Sequence, residues 1–284
     1  MAKVVFRFDI DSHKCIRDGV PVLLELSKRY DVPFTFYVNV GRAISRVDTI
    51  CSFFEKRLST DAEVKMLSAK QKLGTKDYLY AAIVNPVLGR YKENILAISQ
   101  SKCELGLHGG MNHSHWHMHA LQWPYGKIRS DLERALKKMR RIVPEYRPEG
   151  FASPGFVTND VIERVLRDMG FRYSSNRHEN NATVVHKAMG DFSDIGVNLC
   201  GEPGGIAFWE YATASGWTDC ETIDTFINMV STHDEVVVFD HPYFVAVQKA
   251  KVLEKIINIV IRQGHEIVTM KELALEDAKT KSIV

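Results

Sequence analysis

The chain concentrates its reactive groups in two places. Near the amino terminus the apolar run Val4-Val5-Phe6-Arg7-Phe8 ends on Asp9-Ile10-Asp11, two carboxylates separated by one residue. In mid-chain the stretch Gly106 to His119 holds five of the eleven histidines: His108, His113, His115, His117 and His119. Neutral imidazole is the commonest protein ligand for borderline transition metals, and a run of histidines is itself a metal-site signal. No acidic residue lies between Glu104 and Asp131, so a metal held by these rings needs a carboxylate from a distant strand. Two carboxylates at one strand end can be aimed differently, one at an ion and one at a reacting water. The same residues also suit a turn or a helix cap.

The elements that must position these groups can be read from hydrophobic periodicity. Val4–Phe8 and Phe34–Val38 read as strands, joined by an amphipathic helix carrying Val20, Leu23 and Leu24 behind Pro21, which suggests a parallel βαβ unit. Residues 42 to about 101 interrupt the alternation and read as an insertion between the second and third core strands. Within it Thr60–Lys72 is helix-prone and Tyr78–Val84 is apolar. Cys103–Leu107 is the third strand, with His108 at its end. Tyr125–Val143 carries a helical stripe stopped by Pro144, Thr158-Asn159 opens another helix, and Val236–Phe239 is a late strand ending in Asp240-His241-Pro242. Asp277–Val284 reads as a polar tail.

Asp9, Asp11, His108 and His241 therefore all follow apolar strands. In a parallel α/β barrel the carboxyl ends of the strands share one face, and the chemistry sits there. One carboxylate and two imidazoles would leave coordination positions open for water and substrate, which favours a catalytic over a structural metal. Such a metal polarises a carbonyl and lowers the pKa of bound water. A second carboxylate can take the proton, and a histidine opposite can protonate the leaving group. These parts describe hydrolysis of an amide or ester. Gly201, Gly204 and Gly205 fit no phosphate-binding fingerprint.

At 284 residues with 45% hydrophobic and 25% charged residues, the chain fits one α/β unit spanning 1–284, and disorder is excluded as its main state. A formal net charge of +2 argues against coating nucleic acid. The five cysteines are scattered without a C-x-x-C pair and read as reduced thiols. No segment reaches the roughly twenty apolar residues of a membrane span, and no signal peptide is seen. The expectation is a cytoplasmic protein with room for peripheral membrane contact.

Phe8-Asp9-Ile10-Asp11, Thr35–Gly41, Gly106-Leu107-His108 with His113, and Phe239-Asp240-His241-Pro242 resemble, in order, the motifs of the polysaccharide deacetylases, the NodB-homology or carbohydrate esterase family 4 group. The resemblance implies a distorted (β/α)7-type NodB barrel with the helical insertion, and a metal-dependent hydrolase that removes an acetyl or formyl group from an N-acylated amino sugar or small amide. It implies that Asp9 is the general base and His241 the general acid. Asp11, His108 and His113 would bind a divalent metal, zinc by preference, with nickel, cobalt or iron also suited. Two departures stand out. The metal histidines of the family are spaced i, i+4, whereas His108 and His113 are i, i+5, which leaves His115 or His117 as alternatives. Ala152 occupies the place where the third motif carries an arginine that orients the base.

Arg17-Asp18-Gly19-Val20-Pro21 and the Lys72–Asn94 insertion resemble the branch that deformylates 4-formamido-arabinose on undecaprenyl phosphate. That implies a lipid-linked substrate, with Tyr78–Val84, Lys76, Arg90 and Lys92 near a lipid phosphate. Trp116, Trp123, Trp209 and Tyr243 are candidates to stack on a sugar, or core residues. Cys15 near His13 lacks the third group of a thiol nucleophile. Two rival readings are a barrel that keeps the metal pocket and binds a sugar without catalysis, motivated by Ala152, and a histidine-rich reservoir holding several ions.

Overall fold

A computed structural model of the chain describes residues 1–45, 48, 66–202 and 204–281. Its sheet runs in the order β6-β7-β5-β4-β3-β2-β1-β8, with β9 also paired to β1. The strands are β1 (Lys3–Ile10), β2 (Thr35–Val38), β3 (Glu104–His108), β4 (Gly150–Ala152), β5 (Tyr173–Ser174), β6 (His186–Met189), β7 (Phe192–Ile195), β8 (Glu235–Asp240) and β9 (Glu266–Ile267). Seven of them, β1 to β5, β7 and β8, pair in parallel along the path, while β6 is the antiparallel edge. The chain leaving β7 returns to pair Leu199 with Val238, so the two ends of the path meet. This is the distorted seven-stranded barrel that the sequence led us to expect.

Strand alternation sorts the side chains of β1. Val4, Phe6, Phe8 and Ile10 point outward into the main core beneath the helices, where Phe6 and Phe8 meet Phe34 at 5.7 and 5.6 Å between ring centroids. Val5 belongs to the inner cluster with Tyr37, Ala152, Phe156 and Phe239. Arg7 and Asp9 share its parity and are the charges of the inner face, both buried. The outer helices follow the predicted stripes. In α1 (Val20–Tyr30) Val20, Leu23 and Leu26 are buried behind Pro21 in the first turn, and Asp31 closes the helix in the left-handed conformation (φ 56°).

Between β2 and β3 lie α2 (Ala69–Leu73), α3 (Thr75–Ile83) and α4 (Lys92–Ser99). The expected helix over Thr60–Lys72 falls partly outside the described residues. Its described end, from Ala69, is helical behind a Ser68/Gln71 capping box. α4 buries Ile95 and Ile98 in the main core and acts as the crossover helix between the two strands. Four more helices complete the middle of the chain and its second half before the end: α5 (His113–His119), α6 (Tyr125–Ile142), α7 (Asp160–Asp168) and α8 (Phe208–Ala214). They are followed by α9 (Asp219–Thr232), α10 (Ala250–Arg262) and α11 (Met270–Lys281).

The carboxyl-terminal segment corrects the sequence reading. Asp277–Lys281, expected as a polar tail, continues α11. The cause is a capping box, in which the Glu272 carboxylate accepts from the Thr269 backbone N–H at 2.7 Å and the Thr269 hydroxyl accepts from the Glu272 N–H at 3.1 Å. Met270, Leu273 and Ala274 then pack into the inner cluster.

Candidate active site

The carboxyl ends of β1, β3 and β8 bring the predicted residues to one place. Asp9 is the penultimate residue of β1 and Asp11 follows it, His108 ends β3 and His241 follows β8. Asp11, His113 and His241 line a single cavity of about 170 Å³, together with Glu210 of α8 and Lys72 of the insertion. His241 Nε2 stands 3.5 Å from Asp11 Oδ2, and His108 Nδ1 stands 3.8 Å from Asp9 Oδ2.

Helix geometry sorts the five histidines. Gly109 turns the chain out of β3 at φ +65°, where a Cβ would lie 2.6 Å from Pro154. Asn112, which stands at the i+4 position from His108, caps α5 by accepting the His115 backbone N–H at 3.1 Å. That use of Asn112 moves the next inward ring to His113, whose centroid is 5.0 Å from that of His108. The i, i+5 spacing is thus the geometry of a capped helix start. His117, one turn further on, lies against Gly155, with Nε2 2.6 Å from where a Cβ would be. His115 and His119 turn away from the cavity toward Asp48, at 2.7 and 3.0 Å.

Asp9 is held by a group the sequence reading passed over. Arg7 donates through Nε to Asp9 Oδ1 at 3.0 Å and through Nη2 to Oδ2 at 2.7 Å, and through Nη1 to the Ser175 carbonyl at 2.6 Å and hydroxyl at 2.9 Å. Its guanidinium lies 4.6 Å from the Phe156 ring centroid and 5.2 Å from those of Tyr37 and Phe239. Ala152 fills the inner face beside them. Arg7 therefore places a guanidinium on Asp9 from the base's own strand. The signal was available: a charge two residues before Asp9 must share its face.

The protonation states follow from burial and neighbours. Burial would raise the Asp9 carboxyl, but Arg7 and then His108 outweigh it and hold it below the ordinary value. The same contest, won by the His241 and His113 rings and Lys72, brings Asp11 to about 2. Burial lowers His108, and burial together with His108 lowers His113 to about 3, so both rings are neutral near pH 7. His241 goes the other way. Burial alone would lower it, yet Asp11 and Glu210 raise it to about 9. Glu210, also absent from the sequence reading, stands 2.8 Å from His241 Nδ1 and accepts from Lys72 Nζ at 2.9 Å. It is 2% exposed, a buried acid in the irregular stretch after Asn176.

The donor set suits a divalent cation. His108 Nδ1 is 3.0 Å from the Ala152 carbonyl, a partner that fixes the ring proton there and leaves Nε2 bare for an ion. Asp11 ionised and two neutral imidazoles are the protonation states that ligands require. Two groups of described residues draw three ligand atoms within 4.8 Å of one another, Asp48/His115/His119 and Glu210/Asp240/His241, and neither is the predicted Asp11/His108/His113 set.

The insertion closes one side of the cavity, where Ala69, Leu73 and Ala81 join the lining. Asp77 of α3 latches it down, meeting His13 at 3.0 Å and Lys14 and Arg17 at 3.3 Å. Of the aromatics proposed to stack on a sugar, Trp116, Trp123 and Trp209 are core, at 0, 8 and 0% exposure, because β4 and α9 cover them. Tyr243 does line the cavity, where Lys14 donates to its hydroxyl at 2.7 Å. Cys15 is buried, and burial pushes its thiol well up, which removes it as a nucleophile.

Comparison with known proteins bears on the family and the fold. The polysaccharide deacetylase family profile matches residues 2–174, more than half of the chain. Over 179 residues the chain is 26% identical to the protein of Shewanella sediminis (strain HAW-EB3) named "Probable 4-deoxy-4-formamido-L-arabinose-phosphoundecaprenol deformylase ArnD". That match takes in 62% of this chain and 56% of the relative, so it spans little more than half of the relative's length. A structure from Mycobacterium smegmatis named for a polysaccharide deacetylase superposes with a TM-score of 0.65 at 18% identity, covering 99% of this chain and 91% of the other. Peptidoglycan deacetylase PdaC of Bacillus subtilis gives 0.55 at 12% identity, covering 99% and 95%. BA3943 of Bacillus anthracis, named a family 4 pseudoenzyme, gives 0.53 at 11% identity, covering 96% and 65%. These likenesses speak for the fold, and the profile together with the motifs in place makes this chain a member of the polysaccharide deacetylase family.

Proposed function

We propose that the protein is a metal-dependent amidohydrolase that removes a formyl or acetyl group from an N-acylated amino sugar. The observation that carries this reading is a pair of held groups at neighbouring strand ends: Asp9, clamped by Arg7 beside His108, and His241, braced by Glu210 on the cavity wall. Asp11, His108 and His113 would hold the cation, zinc by preference. When bound, the cation polarises the acyl carbonyl and acidifies the attacking water.

Asp9 takes the proton from that water. Arg7 keeps the carboxylate ionised and aimed, at the cost of some basicity. His241, protonated near pH 7 by virtue of Asp11 and Glu210, delivers a proton from Nε2 to the leaving amine. Glu210 holds the ring through Nδ1, and Lys72 in turn neutralises Glu210. The rival reading of a non-catalytic binding barrel rested on Ala152, and the Arg7 clamp on Asp9 weighs against it.

The relative that deformylates a lipid-linked sugar supports a finer proposal, that the substrate here is lipid-linked as well. On α3, Ala81 lines the cavity while Tyr78, Leu79 and Ile83 are 38, 49 and 69% exposed on the outside. Lys76, Arg90 and Lys92 are exposed nearby. An apolar stripe with basic neighbours beside the cavity suits a membrane surface. Among the described residues no helix is long and apolar enough to cross a membrane. Cys15, Cys103, Cys200 and Cys220 are free, which supports placing the protein in the reducing cytoplasm. The test is formate or acetate release by zinc-loaded protein from a panel of N-formyl and N-acetyl amino sugars, free and lipid-linked. Release from at least one member is expected, and failure across the panel would end the reading.

A further inference from the structure

α5 has a second face that the proposed hydrolysis does not use. His115 and His119, one turn apart, stand side by side with ring centroids 4.7 Å apart. Asp48, near the start of the insertion, meets both: Oδ2 is 2.7 Å from His115 Nδ1 and Oδ1 is 3.0 Å from His119 Nε2. The three side chains present ligand atoms that all lie within 4.8 Å of one another. We propose that Asp48, His115 and His119 form a second divalent-metal site, separate from the cavity and suited to zinc.

Three observations carry this. The residue types are those of a borderline cation: one carboxylate and two imidazoles, the latter in the i, i+4 helical spacing that lets two rings grip one ion. The spacing is close to what shared coordination requires, since ligands about 2.0–2.1 Å from a tetrahedral ion stand roughly 3.3 Å apart. The two Asp48 contacts, at 2.7 and 3.0 Å, fall about 0.6 and 0.3 Å short of that value, and the third pair lies within 4.8 Å. The charge balance points the same way. The Asp48 side chain is 9% exposed, and among the described residues no lysine or arginine pairs with it. Ser45 and the two rings are its hydrogen-bond partners, and a dication would add the full counter-charge that these neighbours do not supply.

Binding changes no covalent bond. Each ring presents a bare nitrogen to the ion and keeps its proton on the other nitrogen. Water takes the remaining position, which the partial exposure of both rings, 38 and 35%, allows. The ion would tie the start of the insertion to the helix that carries His113, so its expected effect is on stability rather than on the chemical step.

The experiment compares zinc bound per chain, after loading and dialysis, in the wild type, His119→Gln and Asp48→Asn. Gln and Asn keep a polar group of similar size and remove a ligand. The wild type is expected to hold one zinc more than either variant, and its zinc-induced rise in Tm to shrink in both. Asp11→Ala serves as reference: it should lose a different ion, so that Asp11→Ala combined with His119→Gln holds none. Equal zinc content in the wild type, His119→Gln and Asp48→Asn would overturn the site whatever the cavity does, because failure of the cavity lowers all three alike. Should one variant fail to fold by circular dichroism, the other decides.

Discussion

Arg7 is the residue on which the proposed base depends. It is fully buried and meets Asp9 through two nitrogens. Arg7→Met would leave a buried carboxylate without its partner, a loss of about 3–5 kcal/mol of stability by urea unfolding. In what folds, Asp9 loses the charge that outweighs its burial, so its pKa rises and the acidic limb of kcat/KM moves to higher pH. An unmoved limb would mean that Arg7 does not tune the base. Glu210→Gln acts on the opposite limb. His241 must be protonated to act as acid, so activity should fall as pH rises through its pKa, near 9 in the intact site. Removing the Glu210 charge takes away part of what raises it, and the basic limb should move to lower pH. A basic limb that stays in place would rule out His241 as the titrating acid.

Of the five residues assigned from sequence, Asp9, Asp11, His108 and His241 come to the carboxyl ends of their strands, because an apolar strand followed by a polar group fixes both position and direction, while His113 opens α5. The two helpers were harder to see. Arg7 was readable through strand parity, since its alternation with Phe6 and Phe8 leaves no face but the inner one. Glu210 was not readable, because its place is set by α8 and a contact with His241 from 31 positions later in the chain. No local pattern encodes that distance.

At the scale of elements, the amphipathic helices were the most legible. The stripe of Ile128, Leu132, Ala135, Leu136 and Met139 is the buried face of α6, and Asn159 caps α7 by accepting the Ile162 N–H at 2.9 Å. The carboxyl-terminal helix was missed because its composition is polar, and the signals that make it are a capping box and three small apolar contacts. The insertion was legible as an interruption, and its purpose emerges only in three dimensions, where Lys72 reaches Glu210 and Asp77 gathers His13, Lys14 and Arg17. Its exposed stripe gives an element-scale prediction. Leu79→Ser with Ile83→Ser should weaken sedimentation with vesicles containing anionic lipid several-fold and leave hydrolysis of a soluble N-acyl sugar intact. Unchanged vesicle binding would remove α3 from any membrane contact.

At the scale of the whole molecule, the barrel makes one site of groups from both ends of the chain. β1 lies between β2 and β8, with Phe8 opposite Phe36 on one side and Asp240 on the other, so Asp9, Asp11 and His241 become neighbours by register alone. β3 adds His108 next to β4, and the capped start of α5 adds His113. The order of these strands follows from parallel pairing with helical crossovers, which is why so much of the barrel could be anticipated. Its closure through Leu199 and Val238 could not, since residues 196–199 carry no strand-length pattern.

The central claim is that Asp9 does chemistry beside a cation which it does not itself bind. The direct measurement is zinc content and acyl release, side by side, for the wild type and Asp9→Asn. We expect equal zinc in both and turnover reduced by about 10²–10⁴-fold in the variant. Wild-type turnover in Asp9→Asn, or loss of the cavity zinc along with the carboxylate, would contradict the account.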